Sequence, residues 1–227
     1  MTQIELVVFD CDGVLVDSEE IACKACAASL HAAGFPVSAD EIMARYVGIS
    51  DAAMLADLEQ RYGRAMPPGF AAALHERTLA AFDRELNAVP GVEAALAAIN
   101  CRSCVASSSA PDRIRRSLSK AVLLHWLEPH IFSATQVEHG KPAPDLFLFA
   151  ADKMGVLVDR TVVIEDSEAG VQAAIAAGMR AFGFTGGSHC GLGHAARLRH
   201  HGAFATFRDM RDLPALLQKL EYGELAV

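Results

Sequence analysis

The sequence has no long hydrophobic run. Nowhere in its 227 residues do about 18 or more uncharged apolar residues stand together, so no transmembrane helix is expected. Positive charge is also scarce. Against 28 Asp and Glu there are 20 Lys and Arg, a net charge of −8, and lysine occurs only at 24, 120, 141, 153 and 219. That balance excludes the basic face with which a protein replaces counterions on nucleic acid, and it disfavours anionic membrane surfaces. The opening segment MTQIELVVFDCDG lacks the basic start and small-residue cleavage site of a secretory signal, so a cytoplasmic location is expected. No internal repeat or low-complexity tract is present. What remains is 52% hydrophobic and 21% charged, too apolar for a disordered chain and ample for the core of one large domain or two small ones.

The six cysteines lie at 11, 23, 26, 101, 104 and 190. Two pairs have C-x-x-C spacing, Cys23/Cys26 and Cys101/Cys104. One pair lies in an Ala-rich helical pattern and the other flanks a strand, whereas zinc-binding pairs usually sit close together on short turns. Small apolar packing is therefore expected for both, without disulfides. The segment 186–202, GGSHCGLGHAARLRHHG, is rich in Gly and His. A metal site there is conceivable, but exposed or flexible histidines are the expected reading.

Short apolar runs predict strands over 4–9, 104–106, 131–134, 161–164 and 180–184. Helices are predicted over 91–99, 143–154 and 168–177, the last capped by Ser167 and stopped by Gly178. Alternation of this kind indicates a parallel sheet buried on both faces, with ligands bound at the carboxyl ends of its strands. One stretch breaks the alternation. After Asp17 the pattern is helical, over 19–33, 39–46, 51–62 and 68–83. About seventy such residues are too many for one crossover and predict a separate helical unit. The fold class is therefore α/β: a Rossmann-like core over 1–15 and 88–227, and an inserted all-helical cap over 16–87.

The chemistry gathers at strand ends. Asp10-Cys11-Asp12-Gly13 places two acids past the first strand, where both can turn into one cleft, and Gly13 permits backbone geometry that a side chain would hinder. Glu165-Asp166 ends another strand in the same way. If the two strands are neighbours, the carboxylates converge, at high cost unless a cation joins them. The neighbouring sequence offers few bases, so a hard divalent cation is the expected partner, and oxygen ligands favour Mg²⁺ over zinc. Ser107 and Ser108, after the strand at 104–106, can hold phosphate oxygens with a hydroxyl and backbone N–H groups. Lys141, between Gly and Pro just before a helix, is positioned rather than free.

With these residues in order, the sequence resembles the haloacid dehalogenase superfamily: Asp10-x-Asp12-Gly-Val-Leu-Val-Asp17-Ser-Glu, Ser107, Lys141-Pro-x-Pro-Asp and Glu165-Asp166-Ser-x-x-Gly. Within it, the layout is similar to the β-phosphoglucomutase-like phosphatases. Phe82-Asp83-x-Glu85-Leu86-x-Ala88 is similar to bacterial 6-phosphogluconate phosphatases. The resemblance implies that Asp10 is the nucleophile, forming an aspartyl-phosphate, and that Asp12 is general acid and then base. It implies that Asp10, the Asp12 carbonyl and Asp166 hold Mg²⁺, with Glu165 a direct or indirect contributor, and that Ser107, Ser108 and Lys141 bind the phosphoryl group.

The acid at Asp12 favours phosphoryl transfer over dehalogenation. A phosphonatase would need a cap lysine for a Schiff base, and the helical stretch holds only Lys24. The mutase pattern predicts a His five residues beyond Asp17 and a Lys-Gly-x-x-Arg segment, where this chain has Ala22 and Val47-Gly48-Ile49-Ser50-Asp51. The expected function is thus a Mg²⁺-dependent phosphatase for a small phosphorylated metabolite, a sugar or sugar-acid phosphate such as 6-phosphogluconate. A phosphomutase, and a catalytically silent binding protein on the same fold, are the alternatives. The cap should select the substrate, with Lys24, Arg45, Arg77 and Arg84 as basic candidates, each otherwise a solvated surface residue. A monomer or weak homodimer is expected.

Overall fold

A computed structural model describes residues 3–225. Six strands form a single parallel sheet: β1 (Leu6–Phe9), β2 (Arg102–Ser107), β3 (Ile131–Ser133), β4 (Thr161–Glu165), β5 (Arg180–Phe184) and β6 (Ala205–Phe207). Their order across the sheet is β3-β2-β1-β4-β5-β6. The direction of winding reverses between β1 and β4, and in an open α/β sheet that reversal opens a crevice at the strands' carboxyl ends.

Helices cover the sheet on both sides, as its unbroken apolar strands require. Side chains alternate along β1. Val7 and Phe9 face one apolar layer with α5 (Val92–Ala98), α6 (Pro111–Lys120), α7 (Leu124–Leu127) and α11 (Leu213–Tyr222). Leu6 and Val8 face the other, with α8 (Asp145–Met154), α9 (Glu168–Ala176) and α10 (His194–His200). Asp10 follows Val8 at the strand's period of two, which turns it toward the side of α8 and α9.

Four helices fill the connection after β1: α1 (Glu19–Ala32), α2 (Ala39–Tyr46), α3 (Asp51–Tyr62) and α4 (Phe70–Glu85). They pack around an apolar cluster of their own that includes Leu30, Phe35, Ile42, Met54, Leu58 and Leu74. Ser38 and Ser50 cap α2 and α3 by accepting from the amides of Glu41 and Ala53, and Gly63 ends α3 in a left-handed conformation. The chain leaves and re-enters the core side by side. The Asp17 amide donates to Asn87 and the Val89 amide to Leu15.

Cys23 and Cys26 belong to the cluster within α1–α4, and Cys104 is buried in the sheet. All six cysteines are free, and neither C-x-x-C pair joins a metal-competent group among the described residues. Among those residues no helix is long and apolar enough to cross a membrane.

Candidate active site

The register of the sheet assembles the site. Phe9 pairs with Val105 on β2 and Ile164 on β4, so one residue further on Asp10, Ala106 and Glu165 stand level. Lys141 Nζ joins all three. It donates to Asp10 Oδ1 at 2.7 Å, to the Ala106 carbonyl at 3.0 Å and to Glu165 Oε1 at 2.6 Å. Its side chain is wholly buried. Burial opposes its charge, but the two carboxylates outweigh that and hold its pKa above the ordinary lysine value. Asp10 is raised well above the usual carboxylate range. Burial is the main cause, Lys141 opposes it, and Glu165, Asp166 and Asp12 add to it.

Asp12 differs. Burial again works against ionisation, but Arg113 and two hydroxyl donors hold its pKa below the ordinary value. Ser18 and Ser109 each donate to it at 2.6 Å, and Arg113 Nη2 lies 3.5 Å away. Two acids separated by one residue thus lie in contrasting environments, one against a lysine and the other against an arginine and two hydroxyl donors.

Glu165 is anchored at both oxygens. Oε1 accepts from Lys141, and Oε2 accepts from the amide and hydroxyl of Ser167 at 3.1 and 2.9 Å. Two glycines make room for this arrangement. A Cβ at Gly170 would overlap the Glu165 carboxylate. One at Gly13, whose φ of +79° already disfavours a side chain, would overlap Asp166. The Asp and Glu residues of both motifs therefore need their glycines for space.

Several bases reach these acids from distant parts of the chain, contrary to the scarcity expected from the neighbouring sequence. Lys141 pairs with Asp10 and Glu165, Arg113 with Asp12, and His189 with Asp166. Folding brings each base across the sheet, where linear distance does not apply. The four acids still outnumber these three bases, and the Glu19 carboxyl is buried beside them. Its pKa is raised to about 8, by burial first and then by Asp12 and Asp166. Asp10, Glu165 and Asp166 present one oxygen each within 4.8 Å of one another, and Asp166 Oδ2 is buried without a hydrogen-bond partner. An excess of buried carboxylate with an orphaned oxygen fits a hard divalent cation.

The residues anticipated for phosphate divide. Ser107 is buried, and its hydroxyl accepts from the Ser109 amide at 3.1 Å. Ser108 instead donates to the Gly48 carbonyl in the loop between α2 and α3, at 2.9 Å. Ser109, for which the sequence suggests no role, is the one of these three serines that touches Asp12. Arg113 is likewise missed by motif reading. Ser18 and Glu19 close the first motif, and His189 lies in the Gly- and His-rich segment, but no role at this site is expected of them from the sequence. Asp17, from the same motif, accepts from the amide and hydroxyl of Ser188 at 3.0 and 2.9 Å.

A cavity of about 310 Å³ opens from Asp10 and Asp12 toward α1–α4. Ala22, Ile42, Ile49, Met54, Leu55 and Leu74 line much of it, with Glu19, Asp51, His75 and Arg113 as its charged or titratable rim. None of Lys24, Arg45, Arg77 and Arg84 lines it. Lys24 is largely exposed and pairs with Glu20, and Arg84 is similarly exposed.

The fold and this site define a class of hydrolase, and comparison with known proteins identifies it. Residues 7–184 match the family model of the haloacid dehalogenase-like hydrolases, and the chain belongs to that family. It is 32% identical over 217 residues to the 6-phosphogluconate phosphatase of Escherichia coli, covering 95% of this chain and 96% of that protein. Among solved structures, a haloacid dehalogenase-like protein from Agrobacterium tumefaciens is 37% identical with a TM-score of 0.82, over 96% of this chain and 99% of the other. A hydrolase of the family from Deinococcus radiodurans, solved with bound phosphate and sodium, is 33% identical with a TM-score of 0.73, over 100% and 99% of the two chains.

Proposed function

We propose that this protein hydrolyses small phosphate monoesters of the sugar-phosphate class, using Mg²⁺ and an aspartyl-phosphate formed on Asp10. The observation that carries the reading is the opposed environment of Asp10 and Asp12 at one strand end, with Lys141 on the first and Arg113, Ser18 and Ser109 on the second. Asp10, the Asp12 carbonyl and Asp166 would hold the metal, and Glu165 would serve chiefly to fix Lys141. Bound there, Mg²⁺ supplies positive charge against the phosphoryl oxygens.

Lys141 sits on the nucleophile and can neutralise charge on the group being transferred. Its ion pair works against the burial that raises Asp10, and a bound cation would act in the same direction, toward the ionised, nucleophilic form. Asp12 begins ionised. The negative charge of an arriving phosphate ester opposes that ionisation and favours the protonated form, which can then donate to the leaving oxygen. The same carboxylate later takes a proton from the water that cleaves the aspartyl-phosphate. Residues 16–87 act as the cap. Ser108–Gly48 and Arg113–Asp51 link it to the core, and a cap held over the cleft would limit the access of bulk water.

Sugar and sugar-acid phosphates are the class to test first, since the Escherichia coli relative is a 6-phosphogluconate phosphatase. Phosphate release from a panel of phosphorylated metabolites, with Mg²⁺ and with chelator, checks the reading. Activity should require the metal, and Asp10→Asn should abolish it. An Asp10→Asn protein that still turns over near the wild-type rate overturns the mechanism. An isomeric hexose phosphate formed without free phosphate would make the protein a mutase instead.

A further inference from the structure

The Gly- and His-rich segment after β5 does not run free in solvent. His189 and His194 turn inward, and both touch Asp166. His189 Nε2 lies 3.0 Å from Asp166 Oδ2, with its side chain only 2% exposed. His194 Nε2 lies 2.6 Å from the Asp166 carbonyl, and Cys190 Sγ is 3.4 Å from His189 Nε2. The expectation of exposed histidines is thus corrected for these two, although His200 remains exposed. Asp17 holds the start of this segment by accepting from the amide and hydroxyl of Ser188.

His189, Cys190 and His194 each offer a ligand atom within 4.8 Å of the other two. His189 Nε2 lies against both Asp166 Oδ2 and Cys190 Sγ, while Oδ2 is left without a hydrogen-bond partner. Donor atoms gathered this closely can serve a metal placed among them. Zinc–ligand bonds of about 2.0–2.3 Å in a tetrahedron imply ligand separations of about 3.3–3.8 Å. The observed 3.0 and 3.4 Å lie close to such edges. His194 is already oriented for the role. Its Nε2–H donates to the Asp166 carbonyl, the kind of bond that fixes a ligating imidazole's tautomer. That leaves the Nδ1 lone pair, now met by Arg197 at 3.0 Å. Arg197 is half-exposed and holds Glu168 as a second partner, so it can yield the position.

We propose that His189, Cys190, His194 and Asp166 form a site for a borderline transition-metal dication of the zinc class. Its filling would draw Asp166 away from the acidic group and stop hydrolysis. The donor set decides the ion. Two imidazoles and a thiolate suit zinc, whereas the oxygens of Asp10, the Asp12 carbonyl and Asp166 suit magnesium. Asp166 belongs to both sets, so the two ions compete for one carboxylate. Metal binding stands on the loop geometry alone, whereas the inhibition rests on the phosphatase reading above.

Cobalt(II) separates the two. Titrated into the metal-free protein, it should give a thiolate-to-cobalt charge-transfer band and the strong visible bands of a tetrahedral site. The charge-transfer band should be lost in Cys190→Ser, and the visible bands weakened in His194→Gln, with both variants checked for folding by circular dichroism. Absence of the band in the wild-type protein, or its persistence in Cys190→Ser, overturns the site. In Mg²⁺-dependent phosphate release, zinc should inhibit, and added Mg²⁺ should relieve it. Cys190→Ser should need about tenfold more zinc or greater, since even the partner behind a metal ligand is worth that factor. A cobalt site in a protein whose hydrolysis zinc leaves untouched overturns the inhibition while keeping the site.

Discussion

At the scale of single residues, the most exposed consequence concerns Glu19. Its carboxyl is buried beside Asp12 and Asp166, and its pKa rises to about 8. A raised acid costs stability where the unfolded chain is ionised and the folded one is not. The cost is absent below the unfolded pKa, grows as pH rises, and is complete above the folded value. Glu19→Gln should therefore stabilise the metal-free protein in alkaline buffer, by on the order of a few kcal/mol, and little near about pH 5. Urea unfolding of both proteins in chelator at the two extremes checks the sign. A variant that gains more in acid than in base would contradict the burial argument. Asp10, Asp12, Lys141, Glu165 and Asp166 were all legible in the sequence, because each ends a strand or precedes a helix in a spaced motif. Arg113 and His189 were not. Their partners lie far away in the chain, and no local pattern marks an arginine on α6 as facing Asp12.

At the scale of elements, the glycine of α9 makes a sharp case. Gly170 lies in a helix, where alanine ordinarily gains about 1 kcal/mol. Here the added methyl would strike the Glu165 carboxylate, which three donors hold in place. Gly170→Ala should therefore lose roughly 1–3 kcal/mol, the scale of overpacking, and should also loosen Lys141. Thermal melts and Mg²⁺-dependent activity would both fall. A more stable variant would mean that the carboxylate can move freely. The predicted elements agree closely with the structure where their periodicity was clean, as for α2, α3 and β5. The short strand β6 was missed. It has three residues, is only half-buried along most of its length, and follows a segment whose glycines and histidines hide any alternation.

At the scale of the whole molecule, buried acids from β1 and β4 repel one another in the same crevice. A cation bound only by the folded protein should stabilise it by mass action. The melting temperature should rise with Mg²⁺ concentration and fall back in chelator, and Asp166→Asn should blunt the response. A melting temperature indifferent to Mg²⁺ would disconnect the acidic group from the metal. The sheet with its helical insertion was readable because strands and helices alternate everywhere except between Asp17 and the start of α5. Which faces meet across the cavity was not readable. Ser108 reaching Gly48, and Arg113 reaching Asp51, depend on how the two apolar clusters dock.

The strand order also governs when the protein can first work. β1 is made first and lies at the centre of the sheet, yet its neighbours β2 and β4 begin at residues 102 and 161. During synthesis Asp10 emerges long before the strands that must lie beside it, and β1 waits with both edges open. Contacts so distant in sequence form slowly. A nascent chain halted at residue 160 should neither capture a divalent ion nor release phosphate. The newborn polypeptide therefore stays chemically mute until most of it has left the ribosome.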